Sequence, residues 1–221
     1  MSAKLPVIAE IGGPASSNGR AWGLRRADLE AMRGVLGEVG DRRVVLVTGE
    51  EAPAATLAVA LAGAGAAAGT ATALIECDVE QPRIAADLGL SPAPGLHEYL
   101  RWEVTPADIV QPLTLAGSAS APGTRPLVCV CAGRPSRDAR TLLGLGSFHH
   151  MTTKLRDAYE LVVLLGPPLE GAGGALSSAA GEADCVLAAL STRPGRRAAK
   201  ANAHALSWLG ASPLGAVVVS A

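Results

Sequence analysis

The chain has 221 residues, 49% of them hydrophobic and 18% charged, enough apolar material for a sizeable core and far from a disordered composition. A formal net charge of −1 and an aromatic content of 3% give no electrostatic pull toward nucleic acid or anionic lipid and no base-stacking surface. The longest apolar run, 54–68, is mostly alanine and glycine, too weakly hydrophobic to span a bilayer, and Met1-Ser2-Ala3-Lys4 opens no signal-peptide h-region. A cytoplasmic protein with no nucleic-acid partner and no direct membrane insertion is expected.

Residues 1–23 contain Gly12-Gly13-Pro14 and Ser16-Ser17-Asn18-Gly19 and read as a flexible leader, leaving 24–221 as one domain. Leu29, Met32, Val35 and Leu36 fall at helical spacing before Gly40, a C-cap, so 24–39 is predicted helical. Apolar strands follow near 43–48, 71–77, 126–131, 161–166, 184–190 and 214–219. They are continuous apolar runs, the pattern of strands covered on both faces. Helices are predicted near 54–68, 82–88, 137–144, 148–158 and 195–209, and 112–125, with Gly117 to Gly123, as a surface loop. The alternation predicts an α/β fold: a doubly wound, mostly parallel sheet flanked by helices.

The most telling local feature is the link from the first of these strands to its helix. Val44-Val45-Leu46-Val47-Thr48 runs into Gly49-Glu50-Glu51-Ala52-Pro53-Ala54-Ala55-Thr56 where a phosphate-binding loop would sit, yet there is no Gly-Lys-Ser/Thr. Such a loop cradles phosphates with backbone N–H groups and neutralises them with its lysine. Here two glutamates stand instead, and no lysine or arginine lies between Gly49 and Arg83. Carboxylates repel a polyphosphate, and no nearby cation is expected to replace the lost charge.

Other chemistry is sparse. Cys77, Cys129, Cys131 and Cys185 lack metal or redox spacing and are expected to be buried thiols. His149 and His150 are adjacent, so a helix would aim them apart; they suit solvent or an interface better than a metal. Arg193, Arg196, Arg197 and Lys200 cluster at a helix start and read as a solvated face. Gly171-Ala172-Gly173-Gly174 reads as a flexible loop, without the strand–helix context of a dinucleotide fingerprint.

Several landmarks in order resemble the bacterial tyrosine kinases of capsule and exopolysaccharide systems, the CpsD/CapB type, relatives of MinD and ParA. Glu30-Ala31-Met32-Arg33 is similar to the opening of that family's oligomerisation helix, although its further arginine would fall on Leu36. Leu57 to Ala62 resembles the helix after Walker A, and Leu74-Ile75-Glu76-Cys77-Asp78-Val79-Glu80-Gln81-Pro82 resembles the second motif, Leu-Ile-Asp-Ala-Asp-Leu-Arg-Arg-Pro. Leu127 to Gly133 is similar to the strand ending in Pro-Ala-Gly, and Tyr159 to Pro168 fits the Walker B frame, Tyr-Asp-x-Val-Ile-Ile-Asp-Thr-Pro-Pro. Ala183 to Leu187 and the closing 209–219 stretch extend the resemblance over nearly the whole of 24–220.

The resemblance implies a P-loop NTPase-like, MinD/ParA-like domain whose catalytic positions are emptied. The Walker A lysine falls on Ala54 or Ala55, the Walker B aspartate on Leu165, its following threonine on Gly166, and the arginines before Pro82 on Glu80 and Gln81. Gly49, Thr56 and Asp78 remain as a vestigial nucleotide site, with Asp78 the one metal contact should magnesium nucleotide bind; Thr56 is expected to cap a helix. No catalytic residue is assigned and no cofactor is expected, with ATP and magnesium as the alternative. The family's tyrosine-rich tail is not found before Ala221, the only tyrosines being Tyr99 and Tyr159, so tail autophosphorylation is not expected. The implied role is a regulatory or scaffolding partner in polysaccharide biosynthesis or export. It would pair with a membrane polysaccharide co-polymerase or an active ATPase paralogue, reach the inner face of the membrane through that partner, and self-associate through Glu30 and Arg33. The alternatives are a diverged ATPase or kinase using a partner-supplied cation, and a MinD/ParA-like division or partitioning regulator.

Overall fold

The computed structural model describes residues 5–13, 23, 25–115, 127–170 and 173–220, apart from the side chain of Arg196. Eight strands form one sheet in the order β1-β8-β7-β2-β6-β3-β5-β4. They are β1 (Val7–Gly12), β2 (Val44–Gly49), β3 (Thr72–Glu76), β4 (Gln111–Leu113), β5 (Leu127–Val130), β6 (Leu161–Leu165), β7 (Cys185–Leu190) and β8 (Ser212–Ser220). Every neighbouring pair is parallel except β4 with β5, an antiparallel edge. The predicted doubly wound sheet is therefore present, and its central strands β2, β3, β6 and β7 are buried at every residue, as continuous apolar runs require.

Helices α1 (Arg26–Val39), α2 (Glu51–Ala67) and α3 (Ile84–Leu88) cover one face of the sheet. Helices α4 (Leu96–Leu100), α5 (Pro106–Ile109), α6 (Ala139–Leu143), α7 (Gly146–Ala158), α8 (Gly173–Gly181) and α9 (Arg196–Ser207) belong to the other. Helix α2 is apolar all round because it is packed all round: Leu57, Leu61 and their alanine neighbours lie against the sheet, with α1 over them. The four cysteines are buried, and burial pushes the Cys185 thiol up to about 11 and the Cys77 thiol up as well. Among the described residues no helix is long and apolar enough to cross a membrane.

The structure corrects several expectations. Residues 7–12, within the expected leader, form β1, an edge strand paired with β8 and held to α1 by the Gly12 N–H donating to Asp28 at 3.0 Å. The glycines at its end hid it, while Pro14 and Ser16 to Gly19 lie outside the described residues. Gln111–Leu113 joins the sheet as β4, whereas the glycine-rich part of the expected 112–125 loop, from 116 onward, lies outside the described residues. Gly173 and Gly174 open α8 rather than continue a loop; Gly171 and Ala172 lie outside the described residues. Helices α4 and α5 are too short to show a period in sequence.

Candidate functional site

In a doubly wound sheet, ligands sit at the carboxyl ends of the strands where the winding reverses. Here β2 leads through α2 to β3 on one side, while β6 leads to β7 on the other, so the crevice lies over the end of β2.

Strand β2 ends at Gly49 and α2 begins at Glu51, so Glu50 alone joins them. A Walker A motif interposes a Gly-x-x-x-x-Gly turn wide enough to wrap a phosphate. This connection has no such turn. Gly49 adopts φ 135°, and a β-carbon on it would lie 2.1 Å from the Ala189 carbonyl oxygen. The backbone presses against β7 there, which only glycine permits. The Glu50 N–H donates to the Ala189 carbonyl at 3.0 Å, and the Glu50 carboxylate accepts the Ser191 N–H at 3.1 Å. The Leu169 N–H donates to the Gly49 carbonyl at 3.0 Å, and the Thr48 hydroxyl to the Pro167 carbonyl at 2.7 Å. The β2–α2 connection is stitched to β7 and to the segment after β6.

Two carboxylates of the segment that resembles the second motif hold backbone N–H groups. Glu76, fully buried at the end of β3, accepts N–H groups from Arg83 at 2.6 Å, Ile84 at 2.8 Å and Ala132 at 3.0 Å. It thereby anchors the start of α3 and the segment after β5. Burial raises its carboxyl above the ordinary range, and those three N–H bonds pull the other way. Asp78 accepts the Gln81 N–H at 3.1 Å and anchors the same loop; burial raises its carboxyl too. Leu165 is buried between Val47 and Glu76 in the sheet. It lines, with Ala54, Glu51, Asp78 and Arg83, a cavity of about 10 Å³, room for about one water.

Two expectations about this site change. Thr56 lies in the second turn of α2, because the helix starts at Glu51 with Glu50 at its N-cap, so it caps nothing. And a cation does enter: the Arg83 guanidinium reaches Glu51 at 3.3 Å and Asp87 at 3.0 Å. Distance along the chain concealed this, since Arg83, in the loop after β3, is 32 positions from Glu51.

Toward β7 the crevice opens into a groove of about 490 Å³ between α2, the segment after β6 and α9. Its walls include Leu169, Leu190, Pro194 and Ala198, and its rim carries Glu50, Glu51 and Glu170, with no lysine or arginine among the described lining residues. Of the basic cluster, Arg193 pairs with Glu10 of β1, while Arg197 and Lys200 are exposed. Glu30 and Arg33 lie on the exposed side of α1, Glu30 in an ion pair with Arg26 at 3.2 Å. His149 and His150 are exposed, His149 lying 3.0 Å from Glu182. Among the described residues no group of acidic, histidine or cysteine side chains is arranged to hold a metal ion.

No protein-family profile matches the chain, and no curated protein sequence is significantly similar to it. Solved structures do match. The chimerical protein CapA2B2 is 19% identical with a TM-score of 0.80, over 97% of this chain and 94% of that one. The kinase domain of the Escherichia coli tyrosine kinase Etk is 17% identical with a TM-score of 0.78, over 98% and 90%. The Pyrococcus furiosus cell division ATPase MinD is 17% identical with a TM-score of 0.57, over 80% and 71%. The chain thus has the P-loop NTPase fold of the MinD/ParA type. Within that class, its resemblance to CpsD/CapB-type bacterial tyrosine kinases holds at the level of the fold, across nearly the whole chain.

Proposed function

We propose that this protein is a nucleotide-independent member of the MinD/ParA fold class, acting as a regulatory or scaffolding partner in capsule or exopolysaccharide production. The observation that carries the reading is the one-residue link between β2 and α2. Phosphoryl transfer depends on positioning and on stabilising charge on the transferred group. This chain has no loop to wrap the phosphates, Leu165 where a metal carboxylate would stand, and Glu51 holding the nearest arginine. Losing any one of these contacts costs an enzyme several kcal/mol of transition-state stabilisation, on the order of 10²- to 10³-fold in rate.

The polysaccharide setting rests on the fold shared with CapA2B2 and the tyrosine-kinase domains. The partner is a membrane polysaccharide co-polymerase or an active ATPase paralogue, and Glu30 and Arg33 on the exposed side of α1 are available for self-association. Turnover assays with magnesium ATP test the reading: no hydrolysis above background is expected. Hydrolysis that disappears on Asp78→Ala would overturn it in favour of a diverged ATPase.

A further inference from the structure

The net charge of the whole chain conceals how its charge is distributed. Asp184 is the last acidic residue, so all twenty acids and fifteen of the nineteen cations fall in 1–184. The stretch 185–221 carries Arg193, Arg196, Arg197 and Lys200 and no acid. An acidic body is thus joined to a basic closing segment whose cations gather on α9 and the turn before it. Arg193 is neutralised by Glu10. Arg197 and Lys200 are exposed, and no ion pair among the described residues engages either.

Helix α9 packs inward through Ala203 and Leu206, both buried in the core. At about 3.6 residues per turn, Arg197, Ala201, His204 and Trp208 fall in one row on the opposite side, about 16 Å long, with Lys200 beside it. All five are exposed, and the row ends in Trp208 at 76%, the most exposed large hydrophobic side chain among the described residues. The Trp208 indole N–H donates to His204 Nε2 at 3.1 Å, and the two rings meet edge to face. That contact satisfies the one polar group of the indole without burying its ring, so the ring can enter an apolar phase with no hydrogen bond lost. Glu50, Glu51 and Glu170 line the groove on the Ala198 and Asn202 side of α9, about a quarter turn or more round the helix from this row.

Because α9 is held to the core by its inner face, the outer row contributes nothing to the fold. A basic helix face ending in tryptophan suits a bilayer interface: the cations meet anionic headgroups, and the indole sits at headgroup level. We propose that the outer face of α9 docks on an anionic lipid bilayer. Arg197 and Lys200 lie against headgroup phosphates and Trp208 enters the boundary between headgroups and acyl chains. Duplex nucleic acid would use the cations but leave Trp208 in water, since an indole gains there by stacking on unpaired bases. Each cation near such a surface strengthens partition about fivefold, so the docking is reversible and follows the fraction of anionic lipid. The protein lies on the membrane and does not span it. The inference goes beyond the nucleotide reading and is separate from it, because Arg197, Lys200 and Trp208 line neither the small cavity nor the groove.

Cosedimentation of the full-length protein with vesicles tests it. Vesicles of equal parts phosphatidylglycerol and phosphatidylcholine should bind the protein, pure phosphatidylcholine vesicles should not, and added salt should weaken the binding. The double variant Arg197→Glu, Lys200→Glu should bind about twentyfold or more weakly. Trp208→Ala should also bind more weakly and should lose a blue shift of tryptophan emission that the parent shows on anionic vesicles. All these side chains are exposed, so both variants should melt at the parent's temperature. No binding to anionic vesicles, equal binding to both lipids, binding unchanged in the double variant, or a blue shift retained in Trp208→Ala would overturn the docking. Duplex DNA bound by the parent and lost in the double variant, without vesicle binding, would overturn it in favour of a nucleic-acid surface. None of these outcomes bears on the nucleotide reading, which the ATP assays test separately.

Discussion

The guanidinium of Arg83 lies 3.3 Å from the carboxylate of Glu51, tying the loop after β3 to the first residue of α2. In a working P-loop site that junction is bridged by magnesium and phosphate. Here the chain supplies its own cation, and what remains beneath it is a cavity of about 10 Å³. Both side chains are partly exposed, so Arg83→Ala is expected to cost no more than about 1 kcal/mol. Because the β2–α2 turn is still missing, the variant should acquire no affinity for magnesium ATP. Chemical denaturation and calorimetry on the same sample check the two halves of this expectation.

Gly49 should tolerate no side chain. Gly49→Ala would force a β-carbon within 2.1 Å of the Ala189 carbonyl oxygen at a φ of 135°. Separating β2 from β7 at the centre of the sheet is expected to cost on the order of 3 kcal/mol or more. Thermal melts should show it, against Gly37→Ala on the exposed side of α1 as a control with open space around its β-carbon.

Glu76 is expected to behave as a structural anchor rather than a catalytic acid. Glu76→Ala leaves three N–H groups, that of Arg83 and the buried ones of Ile84 and Ala132, without their acceptor. Each such loss costs about 1–3 kcal/mol, so the variant should be severely destabilised. Hydrogen exchange should show loss of protection at those amides. Normal stability with altered chemistry would contradict the assignment.

Asp184 makes stability depend on pH. Burial alone would raise its carboxyl, but the Val44 N–H, the Arg156 guanidinium and the Arg43 N–H together hold it below its ordinary 3.8. A depressed carboxylate stabilises the fold above its unfolded pKa, and that contribution is lost as pH falls through the folded value. Asp184→Asn should therefore be less stable than the parent at neutral pH by about 1–3 kcal/mol. The gap should close in the acid range below about pH 4. Melting both proteins across pH checks the sign.

The fold was legible because its strands carry their burial in their composition: Val44 to Thr48 and Leu161 to Leu165 are apolar at nearly every position, which only a sheet covered on both faces needs. The missing Gly-Lys-Ser/Thr after Thr48 is itself a fact of the sequence. What sequence concealed depended on return contacts. Val7–Gly12 resembles a loop until β8 arrives to pair with it from the far end of the chain. Arg83 and Glu51 are 32 positions apart, and only the return of the loop after β3 makes them neighbours. Helix α5 did carry a local signal, Thr105-Pro106 with Asp108 accepting the Thr105 N–H at 2.8 Å, a capping arrangement followed by proline.

The central claim is that the crevice over β2 no longer takes nucleotide. Isothermal titration with ATP and ADP, with and without magnesium, paired with thermal melts, tests it directly. The account predicts no saturable heat and no rise in melting temperature at millimolar nucleotide. A ligand at about a hundredfold over its dissociation constant would stabilise the protein by about 2.7 kcal/mol. A magnesium-dependent, saturable stabilisation of that kind would contradict it.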